Sequence, residues 1–138
     1  MTTFKDLGLS EDTLSALADV GYDSPSPIQE QAIPHLLGGH DVIGQAQTGT
    51  GKTAAFGLPM VQFVDPDVQE VQALVLTPTR ELCIQVTQAI RSYARVKGIE
   101  PVAVFGGAPI RDQQARLKTG GQIAVSYTHL TLPTILRV

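Results

Sequence analysis

The sequence predicts an α/β protein, a parallel β-sheet with helices on both faces, and two observations carry that prediction. Short apolar runs alternate with amphipathic stretches through the second half of the chain, the strand–helix–strand rhythm of a parallel sheet. A phosphate-binding loop, Ala46-Gln47-Thr48-Gly49-Thr50-Gly51-Lys52-Thr53, lies between an apolar run and a helix-compatible segment.

Taken in order, Ser10 caps a helix running to about Val20, with Leu14, Leu17 and Ala18 on one face and Gly21 as its stop. Ser26-Pro27-Ile28-Gln29 opens the next helix, with Ser26 as N-cap, Pro27 at the first helical position and Gln29 three residues on. Pro34 is expected to interrupt or restart that helix before Gly38-Gly39. The run Asp41-Val42-Ile43-Gly44 reads as a strand leading into the phosphate loop, and Ala54 to Val64 as the helix leaving it. Ala73-Leu74-Val75-Leu76 is a continuous apolar run, as expected for a strand covered on both faces. From about Arg80 to Lys97 the residues Leu82, Val86, Ile90 and Tyr93 recur at helical spacing. Val102-Ala103-Val104-Phe105 is a third strand, Pro109 to Lys118 a third covering helix, and Ile123-Ala124-Val125 begins a fourth strand.

At 138 residues the chain fits a single domain with a sizeable core. Its net charge of −3 excludes nucleic-acid binding by bulk electrostatics, but not a groove built from backbone amides and a few arginines. Cys83 is the one cysteine, so no intramolecular disulfide forms and a reducing setting fits best. No apolar run approaches the roughly 20 residues that span a bilayer. With no apolar signal core in Met1-Thr2-Thr3-Phe4-Lys5-Asp6, a cytoplasmic protein is expected.

The loop carries the chemistry. Gly49 and Gly51 allow backbone conformations that turn several N–H groups toward one anion, and the helix that follows adds its positive end. Lys52 is placed to reach terminal phosphates and Thr53 to offer its hydroxyl to Mg²⁺, which makes a nucleotide with Mg²⁺ the expected ligand. The bland alternative is a Gly/Thr-rich turn carrying a solvated lysine.

Several further blocks fall in one order. Phe4 precedes by seventeen positions the stretch Gly21-Tyr22-Asp23-Ser24-Pro25-Ser26-Pro27-Ile28-Gln29, and the loop is followed by Pro78-Thr79-Arg80-Glu81-Leu82 and then Gly106-Gly107. Over residues 1–125 this set resembles the first part of the N-terminal RecA-like domain of DEAD-box RNA helicases. The resemblance implies an upstream aromatic and Q-motif region at 1–30 and a partial ATP-binding domain at 31–125. It implies that Gln29 reads adenine with Phe4 stacked on the base, and that Lys52 serves catalysis. Pro78, Thr79, Arg80, Gly106 and Gly107 would then hold the RNA backbone without reading its sequence. Each has a plainer reading. Gln29 also fits a capping box with Ser26, and Phe4 a loose aromatic docked on the core. Thr77 and Pro78 fit a helix cap and first turn with Arg80 solvated, and Gly106-Gly107 fits a simple turn.

After Val125 the family pattern continues with Thr-Pro-Gly-Arg, whereas this chain reads Ser126-Tyr127-Thr128-His129-Leu130 and onward to Val138. Residues 126–138 are therefore read as an aberrant, non-native tail. With it goes the Asp-Glu-Ala-Asp motif that the resemblance assigns to Mg²⁺ and the attacking water, so the 138-residue chain is expected to be an inactive, incompletely folded fragment of an ATP-dependent RNA helicase. Two rivals remain open: another P-loop NTPase motor, which equal use of GTP would favour, and a non-catalytic RNA-binding module, which nucleotide-independent RNA binding would favour.

Overall fold

A computed structural model describes residues 2–47, 49–106 and 109–127. Five helices are described: α1 (Glu11–Asp19), α2 (Pro27–Leu37), α3 (Lys52–Phe63), α4 (Arg80–Ala94) and α5 (Ile110–Thr119). Three strands, β1 (Ala73–Thr77), β2 (Pro101–Ala103) and β3 (Ile123–Tyr127), make one parallel sheet in the order β1-β3-β2. Each strand-to-strand connection carries a helix, α4 and then α5, as parallel pairing demands.

The register puts alternate residues on opposite faces. Val75, Ile123 and Val125 share one face and pack with Cys83, Val86 and Ile90 of α4 and with Leu58 and Val61 of α3. On the other face Val102, Val104 and Ala124 pack with Leu117 of α5. Helices thus cover both faces, as the sequence predicts, but on the second face the cover reaches β2 and β3 and stops short of β1. Leu74 and Leu76 of β1 lie on that side and stay 48% and 47% exposed.

Two expectations are corrected. The strand over Asp41–Gly44 is not formed: the segment has no regular structure, and Ile43 is fully exposed. A strand exists only against a neighbour, and the three-stranded sheet pairs with nothing at 41–44. Pro34 does not end its helix either; α2 runs unbroken from Pro27 to Leu37. Losing one backbone donor and crowding one turn is offset by packing, because Ala32 and Ile33 are buried as α2 lies along α3.

The phosphate-loop helix is also tied at its far end. Lys97, in the 3₁₀ turn Arg95–Lys97, donates from Nζ to the carbonyls of Val61, Gln62 and Val64 at 2.9, 3.1 and 2.8 Å. These carbonyls end α3 without helical partners, so one ammonium satisfies three acceptors where the helix dipole is negative. Lys97→Met, which keeps the stem and deletes the donors, is expected to destabilise the protein by about 1–3 kcal/mol in chemical denaturation. An unchanged denaturation midpoint would show that water replaces the ammonium without loss.

Burial raises the Cys83 thiol pKa against a weaker opposing hydrogen bond from Thr87. It also raises the Tyr93 hydroxyl, with the neighbouring Tyr22 hydroxyl at 3.3 Å adding to the effect. Both groups fold neutral, so the unfolded chain ionises first, near pH 8.5 for Cys and 10 for Tyr as rough reference values. Stability is therefore fully present below about pH 8 and declines as pH rises, by up to about 1.4 kcal/mol per pH unit for each group. Urea midpoints measured from pH 7 to pH 10 check this, and Cys83→Ala is expected to delay the onset of the decline.

Candidate functional site

The loop's geometry follows from its two glycines. Gly49 and Gly51 have φ of +82° and +85°, the left-handed region, and Gly51 is the N-cap of α3. Lys52 and Thr53 form the first turn of α3, Lys52 exposed and Thr53 half-buried, so the loop opens onto a helix N-terminus. Thr50 braces the loop from within by donating from its hydroxyl to the Gln47 carbonyl. Thr48 lies outside the described residues.

The N-terminus of α2 grips this loop from behind. Ser26 Oγ donates to the Thr50 carbonyl at 2.7 Å, and Gln29 Nε2 donates to the Gly51 carbonyl at 3.2 Å. Gln29 Oε1 meanwhile accepts from the Ser26 N–H at 2.9 Å, closing the capping box. Gln29 is only 4% exposed, and both ends of its amide are engaged. Two carbonyls of the loop are thus held facing away from the anion side, which leaves the loop's N–H groups for a ligand.

Phe4 does not reach the cavity beside the loop. It is buried in the main core at 4% exposure and packs against the Tyr22 ring, 6.5 Å between centroids and 18° between planes. Tyr22 is 39% exposed and lines the cavity with Gln29, Gly49, Gly51, Lys52 and Thr53. The cavity measures about 1250 Å³ and reaches Leu74, Leu76 and Pro78 on the β1 side. That exceeds the roughly 300–1,000 Å³ of an ordinary small-molecule pocket. Among the described residues that line it, Asp23 is the one carboxylate.

The second set of predicted residues lies at the carboxyl ends of β1 and β2. Thr79, not Thr77, caps α4: its Oγ1 accepts from Leu82 N–H at 3.2 Å, while Thr77 Oγ1 bonds the carbonyls of Thr79 and Ser126 at 3.1 and 3.0 Å. A hydroxyl accepting one bond still has its proton to give, so Thr79 can both cap α4 and donate to an anion. Arg80 begins α4 and stacks over Phe105, its Cζ 4.6 Å from the ring centroid, a contact worth about 0.5–1 kcal/mol at an exposed site. Pro78 and Gly106 are exposed beside them, and Gly107 lies outside the described residues. The structure therefore joins Pro78, Thr79, Arg80 and Gly106 in one region and Gln29 with the phosphate loop in another. Sequence reasoning gave no site role to Tyr22, Ser26 or Phe105. The aromatic next to Gly21 and the hydroxyl three residues before Gln29 were available signals for the first two.

A parallel sheet with helices on both faces, and a glycine-pinned phosphate loop that shares a cavity with the end of β1, define the class: a RecA-like P-loop α/β domain. Residues 26–136 match the DEAD/DEAH box helicase family model, and the chain belongs to that family. The chain is 52% identical over 125 residues to the ATP-dependent RNA helicase DeaD of Escherichia coli K12 and 51% identical to that of Klebsiella pneumoniae. Those alignments cover 90% of this chain but 20% and 19% of the relatives, so it spans about a fifth of their length. Among solved structures, it superposes on the RNA helicase Prp28 of Chaetomium thermophilum bound to ADP with a TM-score of 0.83 at 38% identity. That match covers 92% of this chain and 32% of the other. A DEAD box protein from Methanococcus jannaschii gives 0.85 at 36% identity, covering 92% and 35%. No helix among the described residues is long and apolar enough to cross a membrane.

Proposed function

We propose that the chain is the nucleotide-gripping part of an ATP-dependent RNA helicase that binds ATP with Mg²⁺, holds the RNA backbone and locally separates RNA duplexes. The observation that carries this reading is the strapped phosphate loop, with Ser26 and Gln29 fixing its carbonyls while Gly49 and Gly51 free its N–H groups. The residues suit a triphosphate: an anion cradle, an exposed Lys52 at the helix end and the Thr53 hydroxyl as one Mg²⁺ ligand. Bound Mg²⁺ would supply charge neutralisation between phosphates; Thr53 would orient it, Lys52 would offset phosphate charge, and Tyr22 with Gln29 would meet the base. Tyr22 takes the stacking place in this reading, with Phe4 supporting its ring from the core. Thr79 and Arg80 grip phosphodiester oxygens beside Gly106, and the family resemblance adds Gly107 to that set.

The 138-residue polypeptide alone does not turn over ATP in this reading. Among the described residues its cavity offers Asp23 as the one carboxylate, fewer than a Mg²⁺ site with an activated water calls for. The exposed Ile43, Leu74 and Leu76, together with the oversized cavity, mark where further strands would pack in a longer domain. Residues 126–138 are non-native in this account, although Ser126 and Tyr127 extend β3, since a polar strand residue such as Ser126 finds the Val104 carbonyl at 2.8 Å. Sequencing the source DNA across codon 125 decides that point: the same thirteen residues followed by a stop would refute it.

The function is tested by ATP and GTP hydrolysis of the full-length gene product with and without RNA. RNA-stimulated hydrolysis that favours ATP supports the reading. Equal use of GTP favours a general P-loop motor, and RNA binding indifferent to nucleotide favours a non-catalytic module. A cytoplasmic location is part of the same proposal and is read by cell fractionation.

A further inference from the structure

Gln113 sits on α5, outside both predicted sites, yet its amide binds one residue of the neighbouring loop at both ends. Phe105 N–H donates to Gln113 Oε1 at 3.1 Å, and Gln113 Nε2 donates to the Phe105 carbonyl at 2.8 Å. The pair stands where the sheet's own ladder runs out. Val104 N–H still reaches the Val125 carbonyl at 2.7 Å, and Ser126 Oγ takes the Val104 carbonyl at 2.8 Å. One residue later no strand backbone follows, and the side-chain amide supplies the donor and acceptor a strand would have offered. Gln113 is 8% exposed and both bonds are part-buried, so breaking the pairing leaves the polar groups of Phe105 short of partners.

Phe105 in turn carries Arg80 on its ring. Among the described residues the one ion pair is Arg91 with Glu100, so no carboxylate neutralises Arg80. A guanidinium held on a ring and free of a counter-charge meets an anion with less rotamer entropy left to lose.

We propose that Gln113 is a positioning residue for nucleic-acid backbone binding: it fixes Phe105 and, through that ring, the guanidinium of Arg80 that meets a phosphodiester. This rests on the reading of Arg80 as an RNA-backbone contact. The path is α5 to loop to α4, three elements distant in sequence joined by two hydrogen bonds and one stacked cation.

The test is anisotropy of a fluorescein-labelled oligouridine bound to the full-length gene product over a salt series. It compares the parent with Arg80→Ala, Gln113→Leu and the double variant. Losing one phosphate contact on a single strand lowers the slope of log affinity against log salt by about 0.7. Gln113→Leu is expected to weaken binding about threefold to tenfold, to lower that slope, and to add little to Arg80→Ala. A merely structural role for Gln113 would leave the slope at its parent value. If Arg80→Ala lowers the slope while Gln113→Leu does not, or if their effects add fully, the positioning role is overturned and the Arg80 contact stands. If Arg80→Ala binds as the parent does at every salt concentration, both readings fall. Should circular dichroism show that Gln113→Leu does not fold, Gln113→Glu is judged by the same criteria. It keeps the shape and the acceptor for Phe105 N–H but cannot donate to the Phe105 carbonyl.

Discussion

Replacing Lys52 by alanine is expected to lower RNA-stimulated ATP turnover of the full-length gene product by about a hundredfold to a thousandfold, the range for removing one transition-state charge contact. Lys52 is exposed at the first position of α3, and no carboxylate pairs with it among the described residues. Its charge is therefore uncommitted before nucleotide arrives. For the same reason the substitution leaves the fold nearly untouched, within about 0.5 kcal/mol, as for surface positions that bear no buried contact. Lys52→Arg is not a rescue, because a planar fork replaces a compact point charge at the end of a tight loop. Steady-state hydrolysis with saturating RNA, beside a thermal melt, reads both halves. Turnover within threefold of the parent would remove Lys52 from the catalytic machinery, however well the loop fits a phosphate.

What could be seen in the residues alone divides along physical lines. The α4 helix was legible because Val86, Ile90 and Tyr93 repeat at helical spacing, and all three are buried. The phosphate loop was legible because its chemistry is local: glycines, lysine and threonine act within one turn of chain. The parallel sheet followed from alternation, and three of its four expected strands are present. The strand at 41–44 was not, since apolar character in Val42 and Ile43 marks a wish for a neighbour that the described sheet does not provide. Pro34 misled for the opposite reason: a local rule lost to the burial of Ile33 against α3. The adenine role of Phe4 rests on the family resemblance, and a resemblance does not say which of two adjacent aromatics, Phe4 or Tyr22, lines the cavity in this chain. Gln113 gave no signal. A glutamine in an amphipathic helix looks solvated until the loop that its amide pairs with is seen beside it.

Gly51 should prove far less replaceable than Gly49, although the two share nearly the same backbone conformation. A β-carbon at Gly49 would meet nothing within 4 Å, so Gly49→Ala bears only the left-handed penalty of about 1–2 kcal/mol. A β-carbon at Gly51 would come to 2.2 Å from Gln29 Nε2 and 3.1 Å from both Gln29 Cδ and Ser26 Oγ. Gln29 cannot simply swing aside, because it is buried and holds the Ser26 N–H as well as the Gly51 carbonyl. Relief therefore requires loosening the strap, breaking the capping box of α2, or shifting the N-terminus of α3 on which Lys52 and Thr53 ride. Gly51→Ala is expected to lose at least about a hundredfold in nucleotide affinity, several kcal/mol of combined strain and lost bonds. Gly49→Ala is expected to lose about tenfold, from strain alone. Titrating a fluorescent ATP analogue into each full-length variant separates the two, with thermal melts reporting the loosening of α2. Equal affinity losses would mean that backbone strain is the whole effect, and that the contact between Gln29 and the loop does not govern the shape of the phosphate cradle.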